Sequence, residues 1–337
     1  MDMSPVGVWS TAFTHGDPDR ARAAACELEE LGYGTLWLGG VPGGNPSGDL
    51  HSSLNLLTAT RHAIVAPSCV SIWNLPPGRL AAAYHGLAEP YRRRTLVGLA
   101  VSHADITAAY QHPYTAMTTY LDALDTSTGP LPKAARFLGA HRPRMTQLAA
   151  GRAAGVQPYL VPPSHTARAR AVLGPGPLLA PVQTSVVDTN PVTARATARR
   201  AIAPYLTKPN YVRTWLEGGF TQGDFTDGGS DRFVDSLVVW GSPDVVARRV
   251  LAHLEAGANH VALQIITDTP NAFPLSAWRA VAERLPRTWP TLITASAPAG
   301  LESKPRVADR DPGLGPTRAP ALRPLPAAGG VSTDCDG

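Results

Sequence analysis

The stretch Thr95–His103, TLVGLAVSH, is apolar on both faces until it ends in Ser102 and His103. A strand with one wet face alternates apolar and polar residues. An unbroken run of Val, Leu and Ala marks a strand covered on both sides, as parallel sheets require. A polar pair where such a strand emerges lies where barrel and doubly wound enzymes place their chemistry. The plain reading of His103 is a strand-end imidazole satisfied by solvent or a carbonyl, so the surrounding chain must decide.

Upstream, strand and helix patterns alternate. A strand at Val6–Ser10 precedes a helix capped by Asp17-Pro18, with Ala21, Ala24, Ala25, Leu28 and Leu31 on one face and Gly32 as its stop. Thr35–Gly39 is a second strand. The loop GGVPGGNPSGD is too rich in Gly and Pro to be regular, and it runs into a helix from Asp49 to about Thr60. A third strand, His62–Ile72, and a helix from Gly78 to Arg92 lead to the quoted stretch, the fourth strand.

Downstream come a helix at Pro113–Asp125, a fifth strand at Ala135–Ala140 and a helix at Pro143–Ala154. The sixth strand is Val156–Val161, Ser164-His165-Thr166 opens a helix ending near Gly174, and Leu178–Val187 is the seventh strand. The rhythm then breaks into helical stretches from Asn190 to about Leu216 and from Asp231 to Trp240. A helix opened by Ser242-Pro243-Asp244, an eighth strand at His260–Thr267 and a closing helix at 273–285 complete the pattern. Eight strands alternating with helices predict an α/β chain of (β/α)8 TIM-barrel type, with a helical insertion between strands 7 and 8 at about 190–240. A doubly wound sheet is the alternative. The barrel is expected over 1–289. Residues 290–337, rich in Pro, Ala and Gly without a period, read as a disordered C-terminal tail.

With 44% hydrophobic and 17% charged residues, the 337-residue chain has material for a large core. Its net charge is +4 and its pI near 9.1, but the basic residues are scattered along helices. The run Arg92-Arg93-Arg94 reads as a solvated helix C-terminal turn, and no basic block marks a nucleic-acid partner. Cys26, Cys69 and Cys335 lack metal-ligand spacing, which predicts buried thiols in a reducing compartment and no metal. No signal segment and no apolar run of about 20 residues is present, so a soluble, cytoplasmic protein without a membrane contact is expected. No glycine-rich dinucleotide fingerprint follows a strand, and the patterns GxSxG, HExxH and CxxC are absent.

Five segments together resemble one family: LEELGYGTLWLGG, TLVGLAVSH, PYTAMTTYLDALD, QPYLVPPSHTARARAVLGPGPLLAP and DGGSDRFVDSLVVWGSPDVVARRVLAHLEAGANHVALQ. They are similar to the bacterial-luciferase-like (LLM class) superfamily, in its actinobacterial branch of probable oxidoreductases dependent on the deazaflavin coenzyme F420. The likeness runs from about Val6 to Ile266. It implies a luciferase-like barrel with the insertion after strand seven, a deazaflavin or flavin across the C-terminal mouth, hydride transfer to or from a small-molecule substrate, and a homodimer. The cofactor carries the hydride, and the protein supplies orientation and a proton donor or acceptor.

Carried onto this chain, the resemblance makes His103 the catalytic acid or base at the end of strand four, next to Ser102. It puts a non-prolyl cis peptide against the central ring at Ser71-Ile72. It sets Ser164, His165 and Thr166 at a helix N-terminus that can hold phosphate, or else Ser164 is a plain N-cap. Strand two ends Gly39-Gly40-Val41, where several relatives carry an acidic residue and a His near the cofactor. Arg142 replaces a usual Gly, and there it either blocks the cofactor or pairs with phosphate. Pro67-Ser68 and Gln157 also depart from the usual residues. Trp9, Trp37 and Trp73 end strands on one side, as packing or as ring-stacking partners; His15 reads as a loop residue facing water. Two alternatives stand beside F420 chemistry: an FMN-dependent monooxygenase served by a partner flavin reductase, and a non-catalytic barrel that has lost its cofactor, which Arg142 and the Gly39-Gly40-Val41 ending favour.

Overall fold

A computed structural model describes residues 3–40 and 50–286. The tail expected at 290–337 with its boundary at 289, Cys335, Val41 and the rest of the Gly- and Pro-rich loop to Asp49 lie outside the described residues. Within them the strand segments are β1 (Val6–Ser10), β2 (Thr35–Gly39), β3 (Ile64–Ser68), β4 (Val70–Ser71), β5 (Val97–Ala100), β6 (Arg136–Gly139), β7 (Gly155–Gln157), β8 (Leu178–Leu179), β9 (Val182–Val186), β10 (Val238–Trp240) and β11 (Val261–Ile265). They pair in parallel in two sheets, ordered β10-β9-β11-β1-β2-β3 and β4-β5-β6-β7-β8. The chain itself passes between the sheets twice, from β3 into β4 and from β8 into β9. Bridges between Val65 and Thr95 and between Tyr159 and Val182 tie the sheets at the same two places.

Both interruptions fall inside predicted strands. His62–Ile72 is divided at a cis peptide between Ser68 and Cys69. Leu178–Val187 is divided at Ala180-Pro181, where the proline has no N–H for a ladder. The cis bond expected at Ser71-Ile72 thus lies three residues earlier, in line with β3 rather than at the end of β4.

Other boundaries move for local reasons. The fourth strand is confined to Val97–Ala100, and Val101–His103 leave the ladder, with Ser102 at φ 55°. The sixth stops at Gln157 before Pro158. The helix expected over Gly78–Arg92 is two, Pro77–His85 and Glu89–Arg92, separated at Gly86. In the insertion, helices Pro191–Ile202, Pro209–Glu217 and Asp231–Leu237 are present. Val238–Trp240, expected as helix, is instead β10, because its β-branched pair lies along β9 with Val238 against Thr184.

Side chains alternate along the strands. Val6, Val8, Leu36 and Leu38 pack on Ala25, Leu28 and Val250 of the covering helices. Their neighbours Trp9, Trp37, Ala66 and Phe137 pack on one another across the opposite face. Trp37 meets Phe137 edge-on at 5.2 Å and donates its Nε1–H to His260 Nε2 at 2.9 Å. Those rings need bare backbone opposite them. A Cβ on Gly98 would stand 2.3 Å from Phe137 Cζ, and one on Gly7 2.9 Å from His260 Nε2.

Two arginines are built into the frame. Arg136, at the start of β6, is wholly buried and donates to the Arg152 and Leu131 carbonyls (2.9 and 3.2 Å) and to the Asp125 carboxylate (2.6 Å). Arg94 is not a solvated cap: it donates to the carbonyls of Leu57, Thr60 and Ala63, closing the helix Leu50–Ala59. Cys26 differs from its expected burial too. It is exposed, with Sγ donating to the Ala59 carbonyl at 3.0 Å.

Candidate active site

The C-terminal ends of β1 through β7 open on one cavity of about 950 Å³ of empty space, its open mouth included. Trp9, Gly40, Ser68, Cys69, Ser71, Ala100, Gly139 and Gln157 come from the strands and their exits. The run Val101-Ser102-His103, together with His141 and Tyr159, forms the sides. The insertion, distant in sequence, closes over with Tyr205, Asn210 and Tyr211. Residues that leave a parallel sheet at one edge converge there because every strand points the same way.

The floor is a polar network. Trp9 Nε1–H donates to Ser68 Oγ (3.1 Å), whose own hydroxyl donates to Gln157 Oε1. Gln157 is 5% exposed, and its Nε2 has no partner in the protein. Alongside, Gln264 Oε1 accepts from Tyr159 (3.1 Å) and Thr184 (2.8 Å). Trp9 lies stacked on Tyr159 with centroids 5.6 Å apart. Its ring occupies the space where Gly39 lacks a side chain: a Cβ there would fall 2.5 Å from Trp9 Cη2.

His103 faces the insertion, 5.7 Å from the Tyr211 ring, and its Nδ1 has no partner. Tyr211 in turn lies 4.5 Å from His141 and 4.8 Å from Tyr205. Beside His103, Lys208, which is 7% exposed, is ion-paired with Asp105. Burial lowers the His103 pKa and the Lys208 ammonium lowers it further, against a weaker upward pull from Asp105. Burial, then His165 and His103, push His141 down to about 3. Burial pushes the Cys69 thiol up to about 12 and raises Tyr159, Tyr205 and Tyr211 above ordinary phenols. None of the residues lining the cavity is Lys, Arg, Asp or Glu, so the described lining is uncharged at neutral pH.

The predicted residues divide. Gly40, Ser71, Ser102 and His103 line the cavity, and Gly39 supports it from behind Trp9. Ile72 turns away and packs with Val70 and Leu75. Arg142 is not among the residues lining the cavity: at the start of the helix Pro143–Arg152 its Nη2 is ion-paired with Glu217 at 2.9 Å, while its Nε has no partner. Ser164 is exposed and caps nothing, since Pro162 holds the N-cap place of the helix Pro163–Leu173. Thr166 is fully buried, its hydroxyl 2.8 Å from His253 Nδ1, which excludes it from ligand contact. His165 gives its Nε2–H to the His141 carbonyl (2.9 Å) and lines a second, smaller cavity with His141, Arg168 and Glu217.

Of the tryptophans only Trp9 lines the large cavity; Trp37 is interior packing and Trp73 donates to the Val101 carbonyl at 2.6 Å. His15 is exposed. His141, Tyr159, Tyr205, Asn210 and Tyr211 escaped the sequence reading. A signal existed in YLTKPNY (205–211), where two tyrosines flank a polar turn inside an insertion. Among the described residues no helix is long and apolar enough to cross a membrane, and no three His, Cys, Asp or Glu side chains cluster to hold a metal.

No family model matches the sequence, and no curated protein matches it. Solved structures do match in fold. The coenzyme F420 dependent tetrahydromethanopterin reductase of Methanopyrus kandleri superposes with a TM-score of 0.64 at 14% identity, covering 84% of this chain and 99% of its own. An F420-dependent secondary alcohol dehydrogenase in complex with an F420–acetone adduct gives 0.64 at 13%, over 88% of this chain and 100% of its own. The FMN-bound oxygenating constituent of 3,6-diketocamphane monooxygenase from Pseudomonas putida, a type II Baeyer–Villiger enzyme, gives 0.56 at 15%, over 85% and 99%. At such identities the likeness is one of fold: α/β, with parallel sheets.

Proposed function

We propose that this chain is a luciferase-like oxidoreductase on a closed (β/α)8 barrel that binds coenzyme F420 and transfers a hydride between it and a small organic substrate. The observation that carries this reading is the uncharged cavity at the C-terminal edge, with His103 at its side, on a fold shared with F420-dependent enzymes. Closure is supported by β1, hydrogen-bonded to β2 on one side and β11 on the other, and by the two strands that continue from one sheet into the next.

The residues fit a flat ring system. Gly139 keeps the wall bare, since a Cβ there would crowd Cys69 Sγ at 3.1 Å and Ala100 Cβ at 3.4 Å. Gln157 Nε2, buried and unpartnered, is a donor in need of an acceptor. A bound deazaflavin supplies or takes the hydride. Gly40, Ser71 and Gly139 would border it, while Trp9 on Tyr159 holds the floor rigid. His103 handles the proton: with its pKa lowered, the imidazole is neutral at pH 7 and accepts a proton from a substrate hydroxyl, or returns it in the reverse direction.

Titrating the purified chain with F420 and with FMN, followed by absorbance and protein fluorescence, tests the reading; no micromolar binding of F420 would sink it. FMN is the alternative cofactor, favoured by the likeness to an FMN-bound monooxygenase. That activity would need a partner flavin reductase, and oxygen consumption with reduced FMN separates the two. Failure of both cofactors to bind would leave the non-catalytic barrel. A homodimer is proposed on the family resemblance, to be checked by light scattering.

A further inference from the structure

The side chains around the large cavity combine aromatic rings with uncharged polar groups. Trp9, Tyr159, Tyr205 and Tyr211 form a continuous aromatic wall, with successive centroids 5.6, 5.4 and 4.8 Å apart. Rings at those separations present flat faces and edges on which another ring packs favourably. Among the described residues that line the cavity there is no Lys or Arg. Beside the cavity, Lys208 is ion-paired with Asp105 and Arg142 with Glu217. The polar groups that remain, among them Ser71, Ser102, Asn210, His103 and His141, are neutral hydrogen-bonding groups. A carboxylate or phosphate set against these rings, as distinct from a cofactor phosphate reaching out through the open mouth, would lose its water and find no countercharge among the described residues. A hydroxyl or carbonyl would find donors and acceptors.

Resting on the oxidoreductase reading, we infer that the substrate taken by this cavity is a neutral aromatic alcohol or ketone, its ring held on Tyr205 and Tyr211 and its oxygen on uncharged groups. The size of each ring contact sets what a measurement should find. Two aromatic contacts together give roughly 5- to 150-fold in affinity.

The test is calorimetric titration of the full chain, alone and saturated with F420, using four probes: acetophenone, cyclohexyl methyl ketone, benzoate and phenyl phosphate. Acetophenone should bind at least about fivefold tighter than cyclohexyl methyl ketone, which lacks the ring, and tighter than benzoate and phenyl phosphate, which keep the ring but bring an uncompensated charge. Tyr211→Leu should remove most of that preference, and Tyr205→Leu, at a less deeply buried site, should remove part of it even if the first variant folds poorly. Benzoate or phenyl phosphate binding as tightly as acetophenone overturns the inference, as does equal binding of the cyclohexyl ketone or no binding of any probe. Selective acetophenone binding by a chain that takes neither F420 nor FMN would refute the oxidoreductase reading and leave the ligand class standing.

Discussion

Gly39→Ala probes the contact between the end of β2 and the aromatic floor. The new Cβ would lie 2.5 Å from Trp9 Cη2 and 2.7 Å from Cζ2 and Cζ3, well inside van der Waals distance. The indole is stacked on Tyr159 and hydrogen-bonded to Ser68, so it cannot yield without breaking one of them. Overpacking of this kind costs about 1–3 kcal/mol. That cost divides between two observables. If Trp9 stays, folding stability falls, by about 2–4 °C in melting temperature per kcal/mol for a barrel of this size. If Trp9 swings into the cavity, cofactor affinity falls about tenfold per 1.4 kcal/mol.

Thermal melts and F420 titrations on the same preparation should together account for about 1–3 kcal/mol. Gly98→Ala is the control. Its Cβ would meet Phe137 Cζ at 2.3 Å and the Pro67 carbonyl at 2.8 Å, beneath the cavity rather than on it. It should lower the melting temperature at least as much and leave affinity per folded molecule unchanged. A Gly39→Ala protein with wild-type melting and wild-type affinity would refute the assignment of Trp9 to the floor.

Three further outcomes are expected. His103→Gln should lower turnover by about a hundredfold with cofactor affinity nearly unchanged; retained turnover would remove the imidazole from the chemistry. Burial chiefly holds the His103 pKa down, and Lys208→Met removes the cation that adds to it, so the acid limb of the alcohol-oxidation pH profile should move to higher pH; an unmoved limb would exclude His103 as the titrating base. Arg136→Met strands two carbonyls and strips one partner from Asp125, which should cost about 3 kcal/mol in urea unfolding.

That last variant also carries a pH signature. Burial pushes the Asp125 carboxyl up, but the Arg136 and Arg152 guanidiniums outweigh it and hold its pKa below the usual value. Its stabilising contribution is therefore present above about pH 4, the unfolded value, and disappears as pH falls through the folded one. The stability gap between wild type and Arg136→Met should narrow over that window.

Most of the frame was legible because it rests on local rules. Continuous apolar runs identified strands buried on both sides, and Asp17-Pro18, Asn190-Pro191 and Ser242-Pro243 marked where helices begin. What failed was local in another way. β10 is a three-residue strand following directly on a helix, too short for either period to register. The cavity was half legible. His103 and Ser102 stand at a strand exit, where position alone marks them. Tyr211 sits in a helix with buried Thr214 and Trp215, and an aromatic on an amphipathic face reads as ordinary core. Only the return of the insertion across the sheet edge makes it a wall. Thr166 was misread because a helix N-terminus suggests an anion, whereas burial against His253 decides which way its hydroxyl faces.

The pairing of β10 with β9 has a consequence for how this protein can change. Val238, Val239 and Trp240 lie beside Thr184, Ser185 and Val186, so the chain leaves for the insertion and comes back on adjacent strands about 4.8 Å apart. The anchor points are set by backbone ladders, whatever lies between them. The segment that supplies Tyr205, Asn210 and Tyr211 is thus a cassette clipped into a fixed socket. Its length and sequence can drift, or be exchanged by an engineer, and alter which molecules fit over the floor while Trp9, Ser68 and Gln157 stay where they are.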